Sequence, residues 1–597
     1  MKFSRFQKPW LIILLALITA AALFTRFWRL SEVPTSLAHD EMIYAINAQS
    51  LALSGTDLTG TWDPWSLTPM HPLFAELPTI FMAPYALLPI DSVIAAKLPF
   101  ILMSLLLPIV LAGIAYELFR DKATSFFTAC IAIFNPWIWQ FGRMGFDSYW
   151  SLFFYSLGSY LLLRLPRWQK LWSILPFFIG FYQYQGHKLA FLPWVGIFVA
   201  HVVSQQVKKS KSSRWKYQIA WKKVVAPLTV LAVSVVIFFF YVLVQLPRQS
   251  SATRIGTILL PDSPEIVQSV NDKRHLSLNT KLTGLGINKY TVWGEKLLDR
   301  YAETYSPTHL FLRSQYSGFN VWSHGVFYVL DVGLIILGML AVWKQGREFL
   351  LGLFAIGLFT TVLSAIIGNG NSFVFRPSLS LPFLLLLAGV GVRYLWHIFP
   401  RWLFAVFAGV YVLSICNFAF TYFVRYPVYA AESNYFADKI LAEYVRRTDS
   451  ATEIMIYTRE PHFTYTALLF YNDWLKDSNV AEIQQSYKEE TFVVRNVRIT
   501  MDCVPAAFDP NVSRVRVIRA DAEGCQTESA DSTDANIPVS SISIGAVKDS
   551  GLVYRIFNDS VCKGYQLPGY IYVSSLQSFS VQDLSQENFC RTWLMSK

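Results

Sequence analysis

Charge is scarce in this chain of 597 residues: Asp, Glu, Lys and Arg make up 15% of it, where soluble proteins carry about 25%. That excludes an ordinary soluble enzyme, and a content of 53% hydrophobic and 16% aromatic residues excludes a disordered chain. Cysteine is scarce as well. Six cysteines are too few for a disulfide scaffold, and none stands with His at zinc-like spacing. Neither G-x-G-x-x-G nor G-x-x-x-x-G-K-[ST] occurs, so the usual nucleotide-cradling loops are absent and ATP use is not expected. Acidic residues are sparse in one part only: residues 1–424 carry a net charge of +16, whereas residues 425–597 carry −5. The basic excess therefore belongs to the apolar part, which fits charged loops of a membrane protein and excludes a nucleic-acid binder.

What the sequence has is long apolar runs bounded by charge. A helix needs about 20 apolar residues to cross the hydrocarbon core. The first run, Trp10 to about Arg26, follows Lys2, Arg5 and Lys8; no small-residue cleavage site succeeds it, and it reads as an uncleaved helix anchored by Arg26-Phe-Trp-Arg29. Further runs at about 95–118, 123–141, 149–164, 171–184, 189–205, 224–246, 324–343, 349–367, 377–395 and 402–424 make about eleven spans. With the N-terminus cytoplasmic, five inner connections are basic, including Arg120-Asp-Lys122, Arg164 to Arg167, Lys344 to Arg347 and the Lys208–Lys223 block, as the positive-inside rule requires. Residues 73–90 are apolar but short and interrupted by proline, and read as an interfacial or re-entrant helix.

The predicted fold class is thus an α-helical polytopic membrane protein over residues 1–425 with a C-terminal extracytoplasmic α/β or α+β domain over 426–597. The outer face receives a first loop, 31–94, and a long loop, 247–322. The tail opens on a helix-like stretch, Ala430 to Arg447, and continues with strand-like runs at 453–458, 492–499, 514–518 and 570–573. Four of the six cysteines lie there. An oxidising exterior suggests two disulfides among Cys503, Cys525, Cys562 and Cys590, and Cys503–Cys525 with Cys562–Cys590 is the local choice among three connectivities.

Charges beside a span are costly to keep and are functional candidates. Asp40 and Glu41 follow the first span by about ten residues, where they also suit a helix N-terminus. Asp147 comes directly after another span. Lys188, Arg376, Arg143, Arg313 and His71 fall on the same predicted side, where each alone could be a snorkelling anchor. Together they offer carboxylates to deprotonate a hydroxyl and cations to stabilise a departing phosphate.

Pro34-Thr-Ser-Leu followed by Asp40-Glu41, Leu53-Ser-Gly-Thr-Asp57 with Gly60, His71-Pro-Leu73, Asn135-Pro-Trp through Arg143 with Asp147, and Phe181-Tyr-Gln-Tyr184 leading to Lys188 resemble the polytopic GT-C glycosyltransferases. The branch is the dolichyl-phosphate-mannose protein mannosyltransferase-like family, with its aminoarabinose transferase relatives, and the resemblance runs over residues 10–425. It implies transfer of a sugar from a polyprenyl-phosphate donor to a protein, lipid or glycan acceptor outside the cytoplasm, commonly with inversion. By the same resemblance Asp40 is the base or acceptor-positioning carboxylate, Glu41 its neighbour and Asp147 the second acid, while the outer-loop cations hold the lipid phosphate. This chain departs from the family at His71 and in lacking Thr-Lys-Gly before Lys188. No cofactor is required; Asp40, Glu41 and His71 could bind a divalent ion, although no ligand spacing demands it. The other readings are a transporter or lipid flippase, against which the absence of an internal repeat counts, and a non-catalytic glycan-assembly protein of the plasma membrane.

Overall fold

The computed structural model describes residues 8–71, 74–209, 217–219, 221–247, 259–314, 320–321, 323–367, 375–504, 514–524 and 541–596. Every apolar run of the sequence falls on helix. Seven helices build the part that carries the candidate acids, with Arg143 and His71: α1 (Lys8–Phe27), α2 (His39–Ser54), α3 (Pro78–Ala86), α4 (Ser92–Phe119), α5 (Lys122–Phe134), α6 (Pro136–Phe141) and α7 (Asp147–Arg164). Among the described residues five helical stretches are long and apolar enough to cross a membrane: Ser92–Phe119, Gln185–Ser204, Lys223–Gln245, Arg376–Ile398 and Arg401–Tyr429. The chain is an integral membrane protein. α3, within the proline-interrupted segment, has nine residues and is too short to span.

Helix ends follow local chemistry. Asp91 caps α4 by accepting from the Ile94 N–H at 3.0 Å, and Asp121 caps α5 through the Thr124 N–H at 3.1 Å. The run 123–141, expected as one helix, is two. Pro136 has no N–H to continue α5, and the Asn135 side chain accepts from the Ile138 N–H to start α6 afresh. Arg26, expected as an interfacial anchor, is instead fully buried and donates to the Ile133 carbonyl at 2.6 Å.

The basic connections meet at one end of the bundle. Arg164 pairs with Glu117 at 3.2 Å, Arg393 with Asp121 at 2.8 Å, and Arg347 donates to the Leu118 carbonyl at 2.7 Å. In the Lys208–Lys223 block, β1 (Val207–Lys209) pairs antiparallel with β2 (Tyr217–Ile219).

Beyond Arg425 the chain forms a seven-stranded mixed sheet from β3 (Glu453–Tyr457), β4 (Val493–Val494), β5 (Val497–Thr500), β6 (Arg514–Arg519), β7 (Ser541–Gly545), β8 (Leu552–Phe557) and β9 (Leu594–Ser596), in the order β4-β5-β3-β6-β8-β7-β9. β3 runs parallel to β5 and β6; the other pairs are antiparallel. Helices Phe436–Arg447, Pro461–Tyr471, Val480–Lys488 and Gln586–Trp593 accompany it. Residues 570–573, expected as a strand, are not one: Ile571 donates its N–H to the Ser550 hydroxyl rather than to a neighbouring strand, and Tyr570 and Tyr572 point to solvent. A disulfide joins Cys562 to Cys590, with Cα atoms 5.6 Å apart. Cys503 is also disulfide-bonded, and Cys525 lies outside the described residues.

Candidate functional site

The site grows from the start of α2. Asp40 stands in its first turn, where a carboxylate meets the positive end of the helix. Its side chain is 55% exposed and lies 3.3 Å from Nδ1 of His39. One turn on, Tyr44 is buried and donates its hydroxyl to Oδ2 of Asp147 at 2.8 Å while accepting from the Ala75 N–H at 3.1 Å. Asp147 opens α7. Burial pushes its carboxyl up to about 7; the Tyr44 hydrogen bond pulls the other way, and the negative charges of Asp40 and Glu76 add to the rise.

Glu41 points elsewhere. Its side chain is buried, with one oxygen accepting from the Ala38 N–H at 2.8 Å and the other from the Gly145 N–H. It closes the first turn of α2 and ties it to the loop before α7. Burial raises its carboxyl, and Lys97, a lysine in α4, opposes that rise. A Cβ at Gly145 would stand 3.0 Å from the Glu41 side chain, so glycine is what lets the two approach.

The cations divide. Tyr184 feels the positive charge of Arg376 and the negative charges of Asp147 and Asp40. Nη1 of Arg376 is buried and has no hydrogen-bond partner among the described residues. Lys188 forms a buried ion pair with Glu76 at 2.7 Å and sits 3.7 Å above the Tyr241 ring. Gln185 also donates to Glu76, at 2.9 Å. His71 is exposed at the edge, 5.8 Å from the Phe74 ring, which in turn packs on Tyr44 at 5.1 Å; Pro72 and Leu73 lie outside the described residues, as does the 368–374 stretch before Arg376.

Two expected phosphate ligands are not in this cluster. Arg143 is fully buried and spends its guanidinium on four carbonyls, those of Thr25, Trp28, Arg29 and Val33, at 2.7–3.1 Å, with its face against Tyr422 and Phe423. It satisfies the Thr25 carbonyl in the last turn of α1 and three carbonyls of the chain just beyond the helix. Arg313 ends the turn Thr308–Leu312, is exposed, and makes no hydrogen bond or ion pair with the cluster among the described residues. Among the described residues no group of three or more His, Cys, Asp and Glu could hold a metal ion.

Four participants escaped the sequence reading: Tyr44, Glu76, Tyr184 and Lys97. Tyr44 had a signal, since it lies four residues after Asp40 on a helix and so shares its face. Lys97 had one as well, as a single lysine inside an apolar run.

Fold and site together define a polytopic helical membrane protein with an acidic, cation-edged cluster at one end of its bundle and an α/β domain beside it. No family model and no curated protein matches the chain. Among solved structures it is similar to ArnT from Cupriavidus metallidurans bound to undecaprenyl phosphate, at 13% identity over 92% of this chain and 99% of that one, with a TM-score of 0.47. It is also similar to the archaeal oligosaccharyltransferase AglB from Archaeoglobus fulgidus in complex with an inhibitory peptide and a dolichol-phosphate, at 13% identity over 86% of this chain and 70% of that one, with a TM-score of 0.43.

Proposed function

We propose that this protein is an inverting membrane glycosyltransferase that moves a sugar from a polyprenyl-phosphate donor to an acceptor hydroxyl on the extracytoplasmic face. The observation that carries the reading is the Tyr184 hydroxyl, which feels at once the negative charges of Asp40 and Asp147 and the positive charge of Arg376, a guanidinium whose buried Nη1 has no hydrogen-bond partner among the described residues. Asp40 takes the proton of the acceptor hydroxyl as its oxygen forms a bond to the anomeric carbon. The bond from that carbon to the phosphate oxygen breaks, and its electron pair leaves with the lipid phosphate, whose charge Arg376 stabilises. Arg suits that task because its planar fork matches phosphate oxygens. Lys188, held by Glu76, supplies a second positive charge to the same anion. Asp147, through Tyr44, fixes the face of α2 from which Asp40 projects.

The sequence resemblance to GT-C enzymes supports the same chemistry. The gathering of Arg164, Arg347 and Arg393 at one end supports a cytoplasmic location for that end, and an outer location for Asp40 and the tail. The test is sugar transfer in membranes holding the wild type or Asp40→Asn, offered a panel of labelled polyprenyl-phosphate hexoses and pentoses. Transfer from one donor that disappears in the variant is expected. No transfer from any donor, with folded protein and a working control enzyme, would move the reading to transport or a non-catalytic role.

A further inference from the structure

His187 is fully buried and takes no direct part in the chemistry proposed above, yet it touches both α7 and the turn that carries Arg376. Its Nδ1 lies 2.8 Å from the Ser151 hydroxyl on α7. Its Nε2 lies 3.2 Å from the Phe375 carbonyl and 3.1 Å from the Ser378 hydroxyl, which flank Arg376 on both sides. Its ring meets that of Tyr184, which feels the charge of Arg376, edge-on at 4.8 Å. Lys188 is the next residue in the chain.

The hydrogen-bond inventory fixes the ring. A backbone carbonyl can only accept, so the nitrogen facing Phe375 carries the proton, and the Ser151 hydroxyl, 2.8 Å from Nδ1 and 2.8 Å from the Gly180 carbonyl, shares its one proton between those two acceptors. The Ser378 hydroxyl itself donates to the Phe375 carbonyl at 2.7 Å, so its oxygen also receives from Nε2. One neutral imidazole thus joins α7, the turn bearing Lys188 and the turn bearing Arg376. Phe375 extends the link toward the carboxylates, since its ring packs 4.5 Å from that of Phe146, the neighbour of Asp147.

We propose that His187 is a positioning residue that sets the guanidinium of Arg376 for an anionic phosphate, through the donor hydrogen bond of Nε2 to the 375–378 turn. This inference rests on the reading of Arg376 as a phosphate ligand. It distinguishes the two ring nitrogens: the Nε2 contact with the Arg376 turn carries the function, and the Nδ1 contact with Ser151 only orients the ring.

Glutamine and asparagine separate these contacts, because the glutamine amide reaches the place of Nε2 and the asparagine amide that of Nδ1. The experiment titrates undecaprenyl phosphate without sugar into the purified full-length protein in detergent, using wild type, Arg376→Ala, His187→Ala, His187→Gln and His187→Asn. The loss of one buried hydrogen bond is expected to weaken binding about fivefold to tenfold in His187→Ala and His187→Asn, whereas His187→Gln stays close to wild type. In the transfer assay, His187→Ala and His187→Asn are expected to raise KM for the donor and to lower kcat, because Arg376 also stabilises the charge on the departing phosphate, whereas His187→Gln keeps both near wild type. Equal affinities for His187→Gln and His187→Asn would overturn the inference while weak binding by Arg376→Ala kept the phosphate reading. Wild-type affinity in Arg376→Ala would overturn the phosphate reading, and this inference with it.

Discussion

Asp40 and Asp147 are both acids in first turns of helices, and their surroundings give them different work. Asp40 is open to solvent and to an incoming hydroxyl, so Asp40→Asn is expected to lower the transfer rate by about 10²–10⁴ with little change in stability, read from initial rates and the Tm of the purified protein. Asp147 is held in protein, with its carboxyl near 7 rather than near 4. Between those limits the folded protein keeps a proton that the unfolded chain has lost, so the contribution of Asp147 to stability falls as pH rises from about 4 to 7 and stays low above. Asp147→Asn carries no such charge. The Tm of Asp147→Asn relative to wild type is therefore expected to climb from pH 4.5 to pH 7 and then level off. A constant difference across that range would show that Asp147 titrates as an ordinary carboxyl.

At the scale of elements, the first outer segment is held by cations used as hydrogen-bond donors to backbone. Arg143 takes the Thr25 carbonyl in the last turn of α1 and those of Trp28, Arg29 and Val33 beyond it, and Lys97 donates to those of Leu30 and Pro34 at 3.2 and 3.3 Å. Arg143→Lys replaces a planar fork by a single ammonium that cannot reach four carbonyls together. It is expected to cost about 2–3 kcal/mol of stability and to leave KM for the donor unchanged, as measured by denaturation and by donor titration; a raised KM at unchanged stability would return Arg143 to the phosphate site. Much of this architecture was legible in the sequence. Apolar length and basic bounds located the helices, because those two properties are what a bilayer demands of a chain. Asp40 and Asp147 were legible because charge beside a span is rare. The partners of the cations were not, since nothing local in Arg143 distinguishes a guanidinium that binds carbonyls from one awaiting phosphate. That depends on residues about 110 positions away. Residues 570–573 misled for a related reason: alternation gives an extended chain, and only a neighbouring strand makes it part of a sheet.

At the scale of the whole molecule, the segment carrying Asp40 is clamped between the bundle and the tail. From the bundle come Arg143, Lys97 and the bond between Glu41 and Gly145. From the tail, Lys439 donates to the carbonyls of Ser31 and Thr35 at 3.4 and 3.0 Å, Tyr471 receives the Leu37 N–H at 3.1 Å, and Gln484 donates to Ser50, Ser54 and Asp57 at 2.8–3.1 Å. Phe463 packs edge-on against the His39 ring, next to the carboxylate itself. The tail is thus placed to order α2 rather than to contribute reacting groups. If so, loosening it should be felt first where Asp40 stands. Lys439→Met combined with Tyr471→Phe is expected to speed amide hydrogen exchange in residues 31–54 by about tenfold or more, because three of the bonds closing that segment are lost, and to lower kcat in parallel. Exchange in the central strands β3 and β6 should stay as in wild type, since neither substitution touches their ladder. Faster exchange confined to the tail, with residues 31–54 still protected, would mean that the bundle alone holds α2 in place.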